Sequence, residues 1–295
     1  MKKNRLGIIA NTGKPVVADV LPPFLAWLRN ENIPFVIVRE LGDLVDLSGC
    51  EAVSANEVAD RADFVLSFGG DGTFLRTAHL IAPSQVPIIG VNLGAFGYLA
   101  EVGIDQLHDR INDILHGRYF IQERVMLEAS IEREGGVSSF HALNDIVLDK
   151  GDFPRTVRLE TSIDDEYLNS FNADGLIVSS PTGSTGYSLS VGGPIIEPEV
   201  DVMIISPINP HMLANRPLVV SGDRTIAISV FSEDGQFQIV TDGQRVLKPD
   251  SGKTVVIRRS SWLTRLIKFG DLTFYSLLRN KLHWRDQLNR AKSDR

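Results

Sequence analysis

Phe64-Val65-Leu66-Ser67-Phe68-Gly69-Gly70-Asp71-Gly72-Thr73-Phe74-Leu75 is the stretch whose reading decides the fold. Residues 64–68 form an apolar run too short for a helix and followed by two glycines, which reads as a buried strand. The glycines around Asp71 make a turn, and Phe74, Leu75, Ala78 and Ile81 then share one helical face. A buried strand passing through a glycine turn into a helix is the repeating unit of a parallel sheet covered by helices. The same alternation extends outward. Residues 6–10 read as a strand, and Val20, Leu21, Phe24, Leu25 and Leu28 recur at helical spacing. Pro22 and Pro23 are expected in the first turn of that helix, where a missing N–H costs nothing. Residues 35–38 and 88–91 complete the strand signals of an α/β N-terminal domain over 1–120.

Past 121 the pattern changes. Strand-like segments at 125–131, 140–148, 157–163, 176–179 and 225–231 follow one another without helices between most of them. Asp234-Gly235 and Asp242-Gly243 read as hairpin turns, since glycine tolerates positive φ. A mostly β domain, a sandwich, is expected over 121–270. Residues 271–295 complete the chain. Helical spacing over 273–288 predicts a C-terminal helix packing back on the first domain, followed by a basic tail at 290–295.

The composition bounds the function. The chain has 295 residues, 43% hydrophobic and 23% charged, which suits a globular protein of about two domains. A net charge of −7 argues against nucleic-acid and anionic-membrane partners. Cys50 is the single cysteine, so neither an internal disulfide nor a cysteine-rich metal site is available. No apolar stretch approaches the ~18 residues of a membrane span, and the run at 6–10 is too short for a signal-peptide core. A cytoplasmic location is expected.

Four motifs carry chemistry. Gly69-Gly70-Asp71-Gly72-Thr73 places unpaired N–H groups at a helix N-terminus, a natural anion site. Asp71 is out of place beside phosphate unless it holds a metal or takes a proton; otherwise it is an acidic N-cap on a tight turn. Asn92-Leu93-Gly94-Ala95-Phe96-Gly97-Tyr98-Leu99 is a second glycine loop after a strand, at the end of the sheet where ligands bind. Asn144-Asp145 interrupts an apolar run and needs partners, either ribose hydroxyls or backbone. A hydroxyl-rich loop then runs from Asn172-Ala173-Asp174-Gly175 through residues 179–188 to Gly192-Gly193-Pro194.

Together these blocks resemble the NAD kinase family in order and spacing. The Gly-Gly-Asp-Gly turn alone is similar to that of lipid kinases and 6-phosphofructokinases, whereas the run from Asp174 to Pro194 is specific. The resemblance implies an α/β domain, a β-sandwich and NAD bound between them, with NADP made by phosphorylating the adenosine 2′-hydroxyl. It implies Asp71 as general base, with Gly69, Gly70, Gly72 and Thr73 forming the phosphate-donor turn. NAD would be bound by Asp71, Gly72, Asn144, Asp145, Arg155, Asn172, Asp174, Thr185, Gly186, Tyr187, Ser188, Leu189, Ser190 and Gln244. Gly186 stands where the family more often has alanine. Phe74 and Tyr98 are open to stacking on the adenine, and Phe74 equally to core packing. The donor would be ATP or polyphosphate, with Mg²⁺, and the protein a homodimer or tetramer. A lipid kinase and a non-catalytic NAD(P) sensor are the competing readings.

Overall fold

Residues 64–69 form a strand that turns directly into a helix. The computed structural model describes residues 4–94, 97–212 and 214–284. The chain divides into two compact units. One comprises the chain up to Glu123 with the segment from Thr264 onward, and the other is Arg124–Leu263.

In the first unit, β1 (Leu6–Ala10), α1 (Val16–Asn30), β2 (Phe35–Val38), β3 (Glu51–Val53), α2 (Val58–Arg61), β4 (Phe64–Gly69), α3 (Asp71–Ile81), β5 (Ile88–Asn92), β6 (Val102–Gly103) and α4 (Leu107–Leu115) follow in order. The strands pair in parallel in the spatial order β3-β2-β1-β4-β5. The chain leaves β1 toward β2 on one side and leaves β4 toward β5 on the other, so the direction in which strands are added reverses between β1 and β4. Ligands of open α/β sheets bind at such a point, beyond the carboxyl ends of the strands. Gly69 lies opposite Asn92 across β4 and β5, which makes the two glycine motifs neighbours.

Helix α1 starts at Val16, so Pro22 and Pro23 lie inside it and not in its first turn. The interior position is tolerated because both prolines are exposed. The carbonyls of Ala18 and Asp19, which lose their i+4 donors, sit on the same water-facing side. The buried stripe of Val17, Leu21, Phe24, Leu25 and Leu28 is untouched.

The second unit holds two layers of antiparallel strands. It contains most of β7 (Phe120–Arg133), then β8 (Gly136–Ala142), β9 (Asp145–Asp149), β10 (Val157–Ile163), β11 (Glu166–Ala173), β12 (Gly175–Ser179), the short α5 (Tyr187–Ser190), β13 (Val202–Ile208), β14 (Leu218–Ser221), β15 (Ile226–Phe231), β16 (Gln238–Thr241), β17 (Gln244–Leu247) and the first part of β18 (Thr254–Lys268). One layer runs β14-β13-β12-β9-β16-β17; the other runs β11-β10-β15-β18, with β7 and β8 attached. Alternate residues of both layers, among them Ile146 and Leu148, Leu176 and Val178, Ile226, Ile228 and Val230, fill one core. That is the period-2 pattern of a sandwich. Val147, Ile177 and Ile208 point to the opposite face of the first layer.

Two strand expectations are corrected. Residues 140–148 are not one strand: β8 ends at Ala142 and β9 begins at Asp145. The break has a cause, because the N–H groups of Leu143, Asn144 and Asp145 donate to the Asp242 carboxylate at 2.8, 2.7 and 3.0 Å. Asp242-Gly243 is the expected two-residue hairpin turn, with φ of 48° and 76° and Thr241 opposite Gln244. Asp234-Gly235 is a turn but not a hairpin: β15 pairs with β10 and β18, while β16 pairs with β9 and β17. The chain changes layer there.

The C-terminal helix α6 is Phe274–Lys281, opened by a reciprocal cap between Thr273 and Ser276. It belongs to the first unit. Leu277 and Leu278 are buried, and Lys281 Nζ lies 6.0 Å from the Tyr98 ring. The expected helix end at 285–288 and the basic tail at 290–295 lie outside the described residues.

Asp242→Ala leaves three buried N–H groups without an acceptor. We expect a loss of about 3 kcal/mol of unfolding free energy by urea titration. A loss below about 1 kcal/mol would mean that the hairpin sequence alone holds the turn.

Candidate active site

The glycine turn is built around where the Asp71 side chain points. Asp71 is the first residue of α3, after Gly70 in extended conformation. Its carboxylate does not face the helix N-terminus. Its oxygens accept N–H bonds from Tyr98 at 2.9 Å, Leu99 at 3.0 Å and Ala100 at 3.3 Å. Gly97 makes this possible: a Cβ there would sit 1.9 Å from Asp71 Oδ1. The second glycine loop is therefore the receptor for the aspartate of the first. Ala95 and Phe96 of that loop lie outside the described residues. Burial, and then the Asp71 carboxylate, push the Tyr98 phenol above its ordinary pKa.

The glycines of the turn have different reasons. A Cβ at Gly69 would strike Thr73, 2.1 Å from its Oγ1, whereas a Cβ at Gly72 would meet nothing within 4 Å. Packing accounts for Gly69 and not for Gly72. Phe74 is buried in the core, 1% exposed, so core packing is the reading that holds. Thr77 anchors the helix to β4 through a 2.8 Å bond with Ser67. Beside the turn, Asn11, Thr12, Gly72, Thr73 and Arg76 line a cleft of about 180 Å³ within this unit.

In the second unit, Asn144, Asp145, Gly186 and Tyr187 come together at the start of β9. Residues 179–183 wrap the Asn144 backbone, whose carbonyl accepts from Ser180 N at 2.8 Å and Ser179 Oγ at 3.2 Å. Asn144 Oδ1 is buried with no hydrogen-bond partner. Asp145 is 5% exposed. Burial, and then the Asp242 carboxylate, push it up to about 7. A Cβ at Gly186 would lie 3.7 Å from Asn144 Nδ2 and 3.9 Å from Asp145 Oδ2. Its 3.2 Å approach to the Gly183 carbonyl is tight, so alanine fits there only with a small adjustment.

Tyr187 is exposed, and burial of its ring with the carboxylates of Asp149, Asp145 and Asp174 raises its phenol pKa. Hydrogen bonds from Lys150 at 2.8 Å and Asn209 at 3.0 Å hold the Asp174 carboxyl below its usual range. Asn172 is exposed, and its carbonyl accepts from His211 N. Gln244 is exposed and opens β17 directly after the Asp242-Gly243 turn.

Thr185, Leu189 and Ser190 keep some exposure along the loop. Ser188 does not: it is fully buried and bonded to Ser206 at 3.1 Å, with Gly193 packed against it. Its hydroxyl braces the scaffold. Arg155 is exposed and paired with Glu233. Among the described residues no group of three or more His, Cys, Asp or Glu is disposed to hold a metal ion. The sequence missed Asp242, read only as a turn residue, and Gly97, whose partner lies 26 positions away. An aspartate at a positive-φ turn position was the available signal for the first; the second left none.

Comparison with known proteins identifies the family of the chain. Residues 6–119 match the ATP-NAD kinase N-terminal domain and residues 143–269 the ATP-NAD kinase C-terminal domain. The NAD kinase of Moorella thermoacetica is 43% identical over 94% of this chain and 89% of its own length. That of Heliobacterium modesticaldum is 40% identical over 94% and 98%. The fold resembles yeast NADH kinase complexed with NADH, with a TM-score of 0.87 and 22% identity over 95% of this chain and 87% of that one. It also resembles an NAD kinase from Archaeoglobus fulgidus in complex with ATP, with a TM-score of 0.72 and 23% identity over 90% and 94%.

The two glycine positions give a paired test. Gly97→Ala drives a methyl into the Asp71 carboxylate, and we expect it to cost about 1–3 kcal/mol of stability and most activity. Gly72→Ala meets no protein atom and should keep stability within about 1 kcal/mol while losing activity. Equal stability losses in the two would refute the distinction.

Asp145 gives a pH test. Its folded pKa is raised above the unfolded value, so the folded chain holds this proton more tightly. Stability is therefore lost as pH rises from about 3.8 to about 7 and is level above that. Asp145→Asn removes the effect, so its stability advantage over the parent should grow between pH 4 and 7 and then stay constant. A pH-independent difference would show that Asp145 ionises as freely in the fold as in the unfolded chain.

Proposed function

The chain belongs to the NAD kinase family and phosphorylates NAD with ATP; from that premise we propose that Asp71 takes the proton of the adenosine 2′-hydroxyl and that the product is NADP. The observation that carries this is the way Asp71 is held. A carboxylate has about four lone-pair directions, and three are used by the N–H groups of Tyr98, Leu99 and Ala100. The remaining one is left to accept a proton, as a general base requires.

The bond changes balance as follows. The 2′-oxygen forms a bond to the γ-phosphorus, and the bond from that phosphorus to the β,γ-bridging oxygen breaks. ADP leaves with the electron pair, and the hydroxyl proton passes to Asp71 and then to water. The first turn of α3 offers unpaired N–H groups to the γ-phosphate, and Gly72 leaves the approach open. Positioning and fixed dipoles supply the acceleration.

Asn144 and Asp145 are proposed to hold ribose hydroxyls, supported by the unpartnered Oδ1 of Asn144. Asp174, Tyr187, Gly186, Thr185, Asn172 and Gln244 are proposed to line the rest of the dinucleotide site. Mg²⁺ is proposed to bind through the phosphates of the donor, as it commonly does in such sites. Its role there is to screen the phosphate charge. Polyphosphate is proposed as a second donor, and a homodimer or tetramer in the cytoplasm as the working form. No helix among the described residues is long and apolar enough to cross a membrane.

The test is NADP formation from NAD, Mg²⁺ and either ATP or polyphosphate, with Asp71→Asn run beside the parent. We expect turnover to fall at least about 100-fold in the variant while ATP binding by calorimetry persists. The amide turns its own N–H toward the cradle, so thermal denaturation must accompany the assay. A folded variant with turnover within tenfold of the parent removes Asp71 from the base role.

A further inference from the structure

The loop after β1 carries a cation that the fold itself does not use. Asn11 N donates to the Phe68 carbonyl at 3.0 Å, extending the β1–β4 pairing by one residue. Asn11 then closes a turn, accepting from Gly13 N through its side chain and from Lys14 N through its carbonyl, both at 3.0 Å. The Lys14 carbonyl in turn accepts from Val17 N in the first turn of α1. The Lys14 backbone is therefore fixed at the point where the direction of strand addition reverses.

Its side chain reaches the glycine turn. Lys14 Nζ is the one atom within 4 Å of a Cβ built at Gly70, at 3.7 Å. Lys14 is half-buried as a residue, and its ammonium forms no ion pair and no hydrogen bond among the described residues. The nearby carboxylate does not pair with it, because Asp71 is turned to the Gly97–Ala100 backbone. A lysine that served only the fold would be expected to meet that acid or extend into solvent. This one sits, uncompensated, beside the N–H groups of the turn and near the cleft lined by Asn11, Thr12, Gly72, Thr73 and Arg76.

We propose that Lys14 binds the phosphate chain of the phosphoryl donor beside Gly70 of the glycine turn. This rests on the kinase reading above. An ammonium is a compact point charge on a flexible stem and can follow a phosphate chain whether it belongs to ATP or to polyphosphate. Lys14 thus recognises the phosphates the two donors share, not the adenosine.

The experiment measures KM for ATP and for NAD in Lys14→Met and Lys14→Arg, with inorganic tripolyphosphate as a competitive inhibitor and calorimetric probe. Loss of one charge-assisted contact should raise KM for ATP at least about tenfold in Lys14→Met. The tripolyphosphate dissociation constant should weaken by a similar factor, KM for NAD should stay within about twofold, and Lys14→Arg should recover most of the loss. An unchanged KM for ATP, or a loss confined to NAD, overturns the proposal; the latter would move the contact to the dinucleotide's pyrophosphate. Should Lys14→Met unfold, as read by thermal denaturation, Lys14→Gln takes its place. The parent and Asp71→Asn separate the two readings. Absence of NADP formation by the parent defeats the kinase reading, whereas tripolyphosphate binding by Asp71→Asn that is lost in Lys14→Met upholds the Lys14 contact independently of the base.

Discussion

Three backbone N–H groups converging on one carboxylate set the terms for the first unit. An aspartate between glycines at a helix N-terminus would repel any phosphate brought there. Turning that carboxylate onto Tyr98, Leu99 and Ala100 surrounds its charge with fixed dipoles. The helix N-terminus stays open to an anion, and the carboxylate keeps one direction for a proton. Gly97 is then a requirement of Asp71 and not a loop preference, because only a residue without a side chain admits the carboxylate. Two motifs that look independent along the chain form one device.

The second unit uses the same device for a different end. Asp242 gathers the N–H groups of Leu143, Asn144 and Asp145, and its own N–H donates to the Asp145 carbonyl at 3.0 Å. That breaks the strand between β8 and β9 and fixes the backbone on which Asn144 and Asp145 stand. The cost appears in Asp145, a buried carboxyl with a second carboxylate close by, whose pKa rises to about 7. Native proteins tolerate such strain mainly where a ligand site repays it.

Much of this was legible from residue order. Short apolar runs of four to six residues marked β1, β2, β4 and β5, and the change of period marked the β-rich half. What failed depended on partners distant in sequence. Helical spacing locates α1 but does not show that Ala18, Asp19, Pro22 and Pro23 all lie on its exposed side, so it starts the helix too late. The apolar run at 140–148 looked continuous because the acceptor that interrupts it lies almost a hundred residues away. Asp234-Gly235 carried the same turn chemistry as Asp242-Gly243, yet only the second joins neighbouring strands; turn chemistry fixes a local bend and not the pairing beyond it.

The charge balance of the chain takes on a specific meaning in this light. A protein of net charge −7 cannot draw in a polyanion through its overall field, so attraction must be local. The usual way to tolerate an acid near phosphate is to pair it with lysine or arginine, which consumes the cation the phosphate needs. Here the acid is held by backbone N–H groups, and backbone dipoles carry no net charge. The ammonium of Lys14 therefore remains uncompensated within reach of the same turn. Acid and cation stand close together without neutralising each other, which is what a site must achieve if it is to remove a proton and hold a phosphate at once.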